Sequence, residues 1–276
     1  GDVLAMGYFS ANADFGAGAP TIGGSGSNMF VVRWSATGDY LWAKVYSPIV
    51  TSAYWPESMA VDAADNAYVV GGFAGSINFG GGLRTETAAH APFIFSLDSS
   101  GDYRWDVTQL ADANATLYDV AARPDGSIVI AADFNLTLDL GGPPLSSIEL
   151  RAAVVALDDS GGFLWEYAPT GTGTSRAYGV GVGPSNEVFV TGEFGPDVTF
   201  GGPTYTTGGM FVLSLDAAGQ HVTDLTLTSN LGVWGQCVAV DGAGRVGVGG
   251  SAFGSVDLGF GAEGSWGQND GFFFTL

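Results

Sequence analysis

Self-similarity at a spacing near sixty residues constrains this chain more than any other feature. A polar residue followed by Phe or Leu and then Gly recurs as Asp14-Phe15-Gly16, Asn78-Phe79-Gly80, Asp139-Leu140-Gly141, Thr199-Phe200-Gly201 and Asp257-Leu258-Gly259, and the glycines are 64, 61, 60 and 58 residues apart. A second anchor keeps the same phase: Leu97-Asp98-Ser99-Ser100-Gly101, Leu157-Asp158-Asp159-Ser160-Gly161 and Leu215-Asp216-Ala217-Ala218-Gly219, with Trp34-Ser35-Ala36-Thr37-Gly38 in the first copy. Four residues beyond each of these glycines stands Trp42, Trp105 or Trp165, replaced by Thr223 in the fourth copy. A fixed period of this kind is the mark of a repeat architecture, in which no unit buries its apolar surface alone.

Each copy divides into short runs of β-branched and aromatic residues bounded by Gly, Asp and Asn, which read as strands. The first strand is Ser58–Val61, Asp119–Ala122, Gly179–Val182 and Cys237–Val240 in the copies that have one. The second is Val3–Tyr8, Ala67–Gly72, Ile128–Asp133, Val188–Glu193 and Val246–Ser251. The third is Phe30–Arg33, Phe93–Ser96, Val154–Ala156, Phe211–Ser214 and Phe272–Thr275, and the fourth centres on the Trp positions. The connecting Asp-x-x-Gly stretches suit tight hairpins, since Asp bonds backbone N–H groups two residues on and Gly accepts the left-handed conformation. The 45 glycines suit a fold built of such turns. No segment keeps a 3.6-residue apolar period over three turns, so no helix is expected.

Four antiparallel strands repeated at fixed spacing can stack linearly or close radially. Small residues alternating with apolar ones in the first strand, such as Gly179 and Gly181 between Val180 and Val182, favour radial closure, because the innermost strands can then approach closely. The expected fold is an all-β propeller of about five four-stranded antiparallel blades in a single domain over 1–276, with repeats near 1–53, 54–115, 116–175, 176–233 and 234–276. The first repeat lacks a first strand and the last a fourth, so the first and last blades are incomplete. Either the chain belongs to a longer repeat protein, or the two ends meet on closure, or a neighbouring molecule adds the missing strand. The recurring Trp is expected to wedge between neighbouring blades.

The pattern Val-x-Val-x-Gly-x-Phe, then Phe-Gly-Gly, then Phe-Val-x-x-Leu-Asp-x-x-Gly-x-x-x-Trp, then Val-Ala-Val-Asp resembles the bacterial β-propeller repeats called SBBP, similar in layout to NHL propellers. Val188–Phe194 and Phe211–Asp216 carry it best. The resemblance covers nearly the whole chain and implies a secreted or cell-surface bacterial protein. It brings no shared catalytic motif.

Charge narrows the partners. Eight basic residues against 28 acidic ones give a net charge of −20. A phosphate backbone needs clustered Lys and Arg, and the seven arginines here are scattered, so nucleic acid is not an expected partner. No apolar run reaches the ~18–20 residues that span a bilayer, and membrane insertion is not expected. Cys237, the single cysteine, lies among apolar neighbours and reads as a small buried hydrophobe. His90 and His221 occupy non-equivalent repeat positions and read as exposed loop residues, which leaves no metal site. No nucleophile elbow, P-loop, zinc helix or EF-hand loop is present, and no cofactor is expected. Asp62, Asp98, Asp158, Asp216 and Asp241 are explained as turn formers, and Asp14, Asn78, Asp139, Thr199 and Asp257 as caps rather than calcium ligands. Glu57, Asp119, Glu193 and Glu263 are the less explained acids.

The variable segments at the start of the first strand would surround one mouth of a propeller's central channel. They read Tyr54-Trp55-Pro56-Glu57, Tyr118-Asp119, Arg176-Ala177-Tyr178 and Trp234-Gly235-Gln236. Aromatic side chains mixed with a few polar ones suit a sugar or peptide, so Trp55, Glu57, Tyr118, Asp119, Arg176, Tyr178, Trp234 and Gln236 form the candidate ligand-binding set, against the alternative that Tyr118 and Tyr178 only plug the mouth. The expected function is a non-catalytic extracellular module that binds protein or glycan, or serves a structural or adhesive role. Self-association into a filament or surface layer through the end blades is the alternative, and a carboxylate-dependent hydrolase a further one.

Overall fold

The computed structural model describes residues 1–19, 21–22, 28–47, 49–108, 113–257, 262–264 and 269–276, apart from the side chains of 49–51, 87–89, 113–114 and 262–264. Leu258 and Gly259 of the last anchor, and the side chain of Glu263, therefore lie outside what is described. The strands are β1 (Val3–Phe9), β2 (Asn28–Trp34), β3 (Tyr40–Tyr46), β4 (Ile49–Val61), β5 (Ala67–Asn78), β6 (Leu83–Leu97), β7 (Tyr103–Thr108), β8 (Ala113–Ala122), β9 (Ile128–Leu138), β10 (Leu145–Leu157) and β11 (Phe163–Tyr167). They continue as β12 (Thr170–Gly171), β13 (Ser175–Val182), β14 (Val188–Phe194), β15 (Val198–Thr199), β16 (Thr204–Tyr205), β17 (Gly209–Leu215), β18 (His221–Leu227), β19 (Gly232–Val240), β20 (Val246–Phe253), β21 (Ser255–Asp257), β22 (Ala262–Gly264) and β23 (Asp270–Thr275). No helix occurs among the described residues, and none is long and apolar enough to cross a membrane.

Each repeat carries one antiparallel sheet. The orders are β1-β2-β3, β4-β5-β6-β7, β8-β9-β10-β11, β13-β14-β17-β18 and β19-β20-β23, with small accessory sheets β12-β15-β16 and β21-β22. The first and fifth sheets thus have three described strands where the others have four. The chain separates into two compact units, residues 1–116 and 117–276. The first holds the sheets of repeats one and two, and the second holds those of repeats three to five.

Strands run longer than the sequence pattern indicates. In repeats two and three, β5–β6 and β9–β10 continue past the main sheet as ribbons, to Asn78↔Leu83 and Leu138↔Leu145. The polar-Phe-Gly anchor is the turn at the tip of this ribbon. Asp14, Asn78 and Asp139 each accept the N–H of the glycine two residues on, at 2.8–2.9 Å, and those glycines take φ of 97° to 128°. The intervening apolar residue folds back into the core. Phe79 lies 4.7 Å from Phe95 and 4.9 Å from Phe93, and Phe200 lies 4.6 Å from Phe211.

In repeats two, three and four the second and third strands are largely buried on both faces, which is why they read as apolar runs. In β17, Phe211, Leu213 and Leu215 join the cluster shared with repeat three, whereas Met210 and Val212 join the one shared with repeat five. In the first unit, Met29 and Val31 of repeat one share a cluster with Val69, Phe93 and Phe95 of repeat two. Within the second unit the first strands of repeats four and five approach closely at two glycines. A Cβ on Gly179 would stand 2.9 Å from the Cα of Cys237, and one on Gly181 would stand 3.2 Å from the carbonyl of Val238.

The hairpins between third and fourth strands in repeats two, three and four, and two of those between first and second strands, are each closed by one carboxylate. Oδ1 of Asp62, Asp98, Asp158, Asp216 and Asp241 each accepts the N–H groups two and four residues on, at 2.8–3.0 Å. In repeats one and three the Trp lies across the turn of the next repeat. Trp42 Nε1 donates to the Ser99 carbonyl (3.0 Å), and Trp165 Nε1 donates to the equivalent Ala217 carbonyl (3.1 Å). An arginine reaches each of these carbonyls too, Arg33 at 3.0 Å and Arg123 at 2.6 Å, although the two come from different strand positions.

The ring leaves no room beneath it: a Cβ on Gly219 (φ +79°) would sit 2.4 Å from Trp165 Cε3, whereas at Gly244 (φ +81°) nothing lies within 4 Å. Gly244→Ala is expected to cost ~1–2 kcal/mol of left-handed strain, and Gly219→Ala roughly 1–3 kcal/mol more from overpacking. Urea unfolding of the two variants measures the difference, and equal losses would show that Trp165 does not seal the turn.

Candidate functional site

A β-bulge recurs in the first strand, and it carries the candidate residues. The register slips between Pro56 and Ser58, between Ala177 and Gly179, and between Gly235 and Cys237. Glu57, Tyr178 and Gln236 are the extra residues, and Tyr118 stands at the same repeat position. A bulge bends its strand and re-aims one side chain, so each first strand presents its variable residue from a rigid sheet.

In the second unit this places five groups together. Arg176 lies directly opposite Glu193 across β13 and β14, and its Nη1 is 2.7 Å from Glu193 Oε1. Arg176 Nε stands 3.2 Å from Oδ2 of Asp133 in the preceding repeat. The hydroxyl of Tyr178 donates to Glu193 Oε1 (2.9 Å), and that of Tyr118 donates to Asp133 Oδ2 (3.0 Å). The two tyrosine rings meet edge to face at 5.1 Å and 80°. Asp133 is nearly fully buried, at 6% side-chain exposure, while Glu193 keeps 23% and Arg176 40%. Asp133 and Glu193 are the same repeat position, the second-strand residue before Phe134 and Phe194. A buried carboxylate is costly unless paired, and the shared arginine and the two phenols supply that pairing.

Two depressions open beside Glu193 and Phe194. One of about 270 Å³ is lined also by Asn230, Gly232 and Trp234. The other, about 300 Å³, is lined by Leu150, Thr174 and Arg176. Trp234 is half-buried, with its ring held against Gly232, where an added Cβ would meet it at 2.6 Å.

The remaining candidates are placed differently. Asp119 turns to the backbone: its carboxylate accepts the N–H of Val120 and that of Val180 in the next repeat, both at 2.9 Å. It therefore ties two repeats together. Gln236 is exposed at its bulge. Trp55 and Glu57 belong to the first unit. Trp55 stacks on His90 at 5.0 Å and 28°, and the imidazole lies over Gly72, the position held by Asp133 and Glu193 elsewhere. Glu57 is exposed.

Three sequence expectations are corrected here. His90 is a half-buried residue of β6 rather than an exposed loop residue. His221 is a half-buried residue of β18, with Nε2 2.7 Å from Asp224 Oδ1. Tyr205 also bonds that carboxylate. Cys237 is exposed, because the bulge at Gln236 shifts the in–out alternation by one residue. Among the described residues no group of three or more His, Cys, Asp or Glu could hold a metal ion.

The chain matches no family model and no curated protein sequence. A solved structure of a protein of unknown function from Bacteroides caccae is similar over 87% of this chain and 68% of its own, at 13% identity and a TM-score of 0.44.

Burial, and next the hydrogen bond to Glu193, push the Tyr178 phenol up from 10.0 to about 12. A phenol of ordinary pKa near 10 in the unfolded chain then loses its proton before the folded one does. Its contribution to stability is complete below pH ~10 and vanishes as pH rises through about 12. Tyr178→Phe should flatten the fall in stability between those values and delete one late-ionising phenol from the absorbance titration at 295 nm. Loss of a phenol that ionises near pH ~10 instead would contradict the Tyr178–Glu193 bond.

Proposed function

We propose that this chain is a non-catalytic binding module of a secreted or cell-surface bacterial protein, propeller-like in arrangement, which takes an extracellular protein or glycan at the Arg176 site. The observation that carries the reading is the pair of depressions flanking Glu193, with an arginine, two tyrosines and Trp234 fixed around them. Preorganised groups on rigid strands lower the ordering cost of binding. The acidic balance agrees with a solvated extracellular surface and with rejection of polyanions. Secretion, bacterial origin and the five-blade ring follow the SBBP resemblance and the repeat period. A catalytic reading finds less support, since Asp133 and Glu193 share one arginine and each already accepts a phenol hydrogen bond.

The test is an array of extracellular glycans and proteins probed with the wild type and with Glu193→Gln and Arg176→Met. The expected result is a ligand whose affinity falls at least tenfold in both variants, about 1.4 kcal/mol or more. A ligand held equally by both variants would move the site elsewhere.

A second reading, self-association through sheet edges, is favoured by β23. Phe273 on this strand is 70% exposed, beside a depression of about 400 Å³ that includes Val240, Arg245 and Leu276. Among the described residues β23 pairs on one side only, and an open edge is a template for pairing with another chain. On this reading, sedimentation velocity shows concentration-dependent association that Phe273→Lys abolishes; a monomer at all concentrations removes it.

A further inference from the structure

We infer that the Arg176 site takes a neutral oligosaccharide of at least two residues, one in each depression beside Glu193. The inference rests on the binding reading above and narrows it to a ligand class. The two depressions share Glu193 and Phe194 and lie on either side of them. At about 270 and 300 Å³ they lie just below and at the bottom of the range of roughly 300–1,000 Å³ for small-molecule sites, so neither alone suits a large ligand, and an oligomer with short repeating units fills both.

The polar groups at the junction set the chemistry. Glu193 Oε1 already holds Arg176 and Tyr178, which leaves Oε2 as an acceptor, with Arg176 partly exposed next to it. A hydroxyl both donates and accepts, so one sugar hydroxyl can satisfy a carboxylate oxygen and a guanidinium N–H side by side. Arg176 lies between two carboxylates. That arrangement gives an anionic ligand no unpaired cation, and the chain's net charge of −20 opposes it further. Trp234 is among the residues lining the first depression, its half-buried ring resting on Gly232, and on this reading its accessible edge meets the C–H face of a pyranose, an apolar body with a polar rim. Glu193 and Trp234 therefore divide the recognition between hydroxyls and ring face.

The experiment uses the full chain and an array of neutral, uronic and amino oligosaccharides of one to six residues, together with Lys- and Arg-rich peptides, followed by calorimetry on the strongest binder. The expected binder is neutral, gains at least tenfold in affinity from one residue to four, and changes less than about twofold between 0.05 and 0.5 M NaCl, since no net charge is neutralised. Trp234→Ala and Glu193→Gln each weaken it at least tenfold, while Trp234→Phe, which keeps a stacking face and guards against a folding defect, stays within about threefold of wild type. A salt-sensitive cationic peptide that is lost in Glu193→Gln would overturn the saccharide assignment and leave the site standing. An oligosaccharide indifferent to all three variants would overturn both. An array with no saccharide binder overturns the assignment as well.

Discussion

The organisation of each unit depends on one recurring contact, the tryptophan of one repeat lying over the hairpin turn of the next. The turn glycine must take positive φ to close the hairpin, and the same missing Cβ admits the ring. One residue therefore answers a local demand of the backbone and a long-range demand of packing. The indole N–H also satisfies a turn carbonyl that the ring would otherwise cover, as Ser99 and Ala217 illustrate. Repeat four carries Thr223 at the Trp position, and on its own fourth strand Asp224 pairs with His221 and Tyr205.

Two-sided burial of the central strands restricts where variation can occur. Val190, Phe211 and Leu213 have almost no exposed surface, and a methylene more or less at such positions is felt throughout a close-packed core. The second-strand position before Phe134 and Phe194 is different, because it faces the first strand beside its bulge. It is Tyr8, Gly72, Asp133, Glu193 and Ser251 in successive repeats. At Gly72 a stacked imidazole takes the space. At Asp133 and Glu193 a carboxylate fills it and recruits a tyrosine from the bulge. The candidate site is thus a pair of substitutions at one repeat register, bridged by Arg176.

The period, the all-β class and the strand cores were legible because they are written in every copy. The turn carboxylates were legible for the same reason: Asp98, Asp158 and Asp216 each stand three residues before a glycine. The tip ribbon of β5–β6 was not, since Leu83-Arg84-Thr85-Glu86 alternates without the β-branched density of a core strand and depends on pairing with Gly75–Asn78. Bulges were hidden too. They add a residue without changing composition, so Cys237 seemed to belong to the buried alternation. Of the site, Arg176, Tyr118 and Tyr178 were visible as departures from the repeat. Asp133 was not, because it ends an apolar run that reads as strand core. Aligning Asp133 with Glu193 across the repeats was the available signal.

Asp119 shows how one position can look functional while serving the frame. It sits one residue past the bulge position occupied by Tyr118, and its charge in an apolar first strand has no turn to explain it. Yet its carboxylate accepts the N–H of Val180, two residues after Tyr178 and next to the register slip at Gly179. A bulge breaks the ladder and leaves backbone groups in need of partners. Asp119 supplies one of them from the preceding repeat, and so holds the bulge that aims Tyr178 at Glu193. The charge that seemed available to a ligand is spent on the geometry of the residue beside it. Binding residues and framing residues alternate along the same short segment, with the bulge deciding which is which.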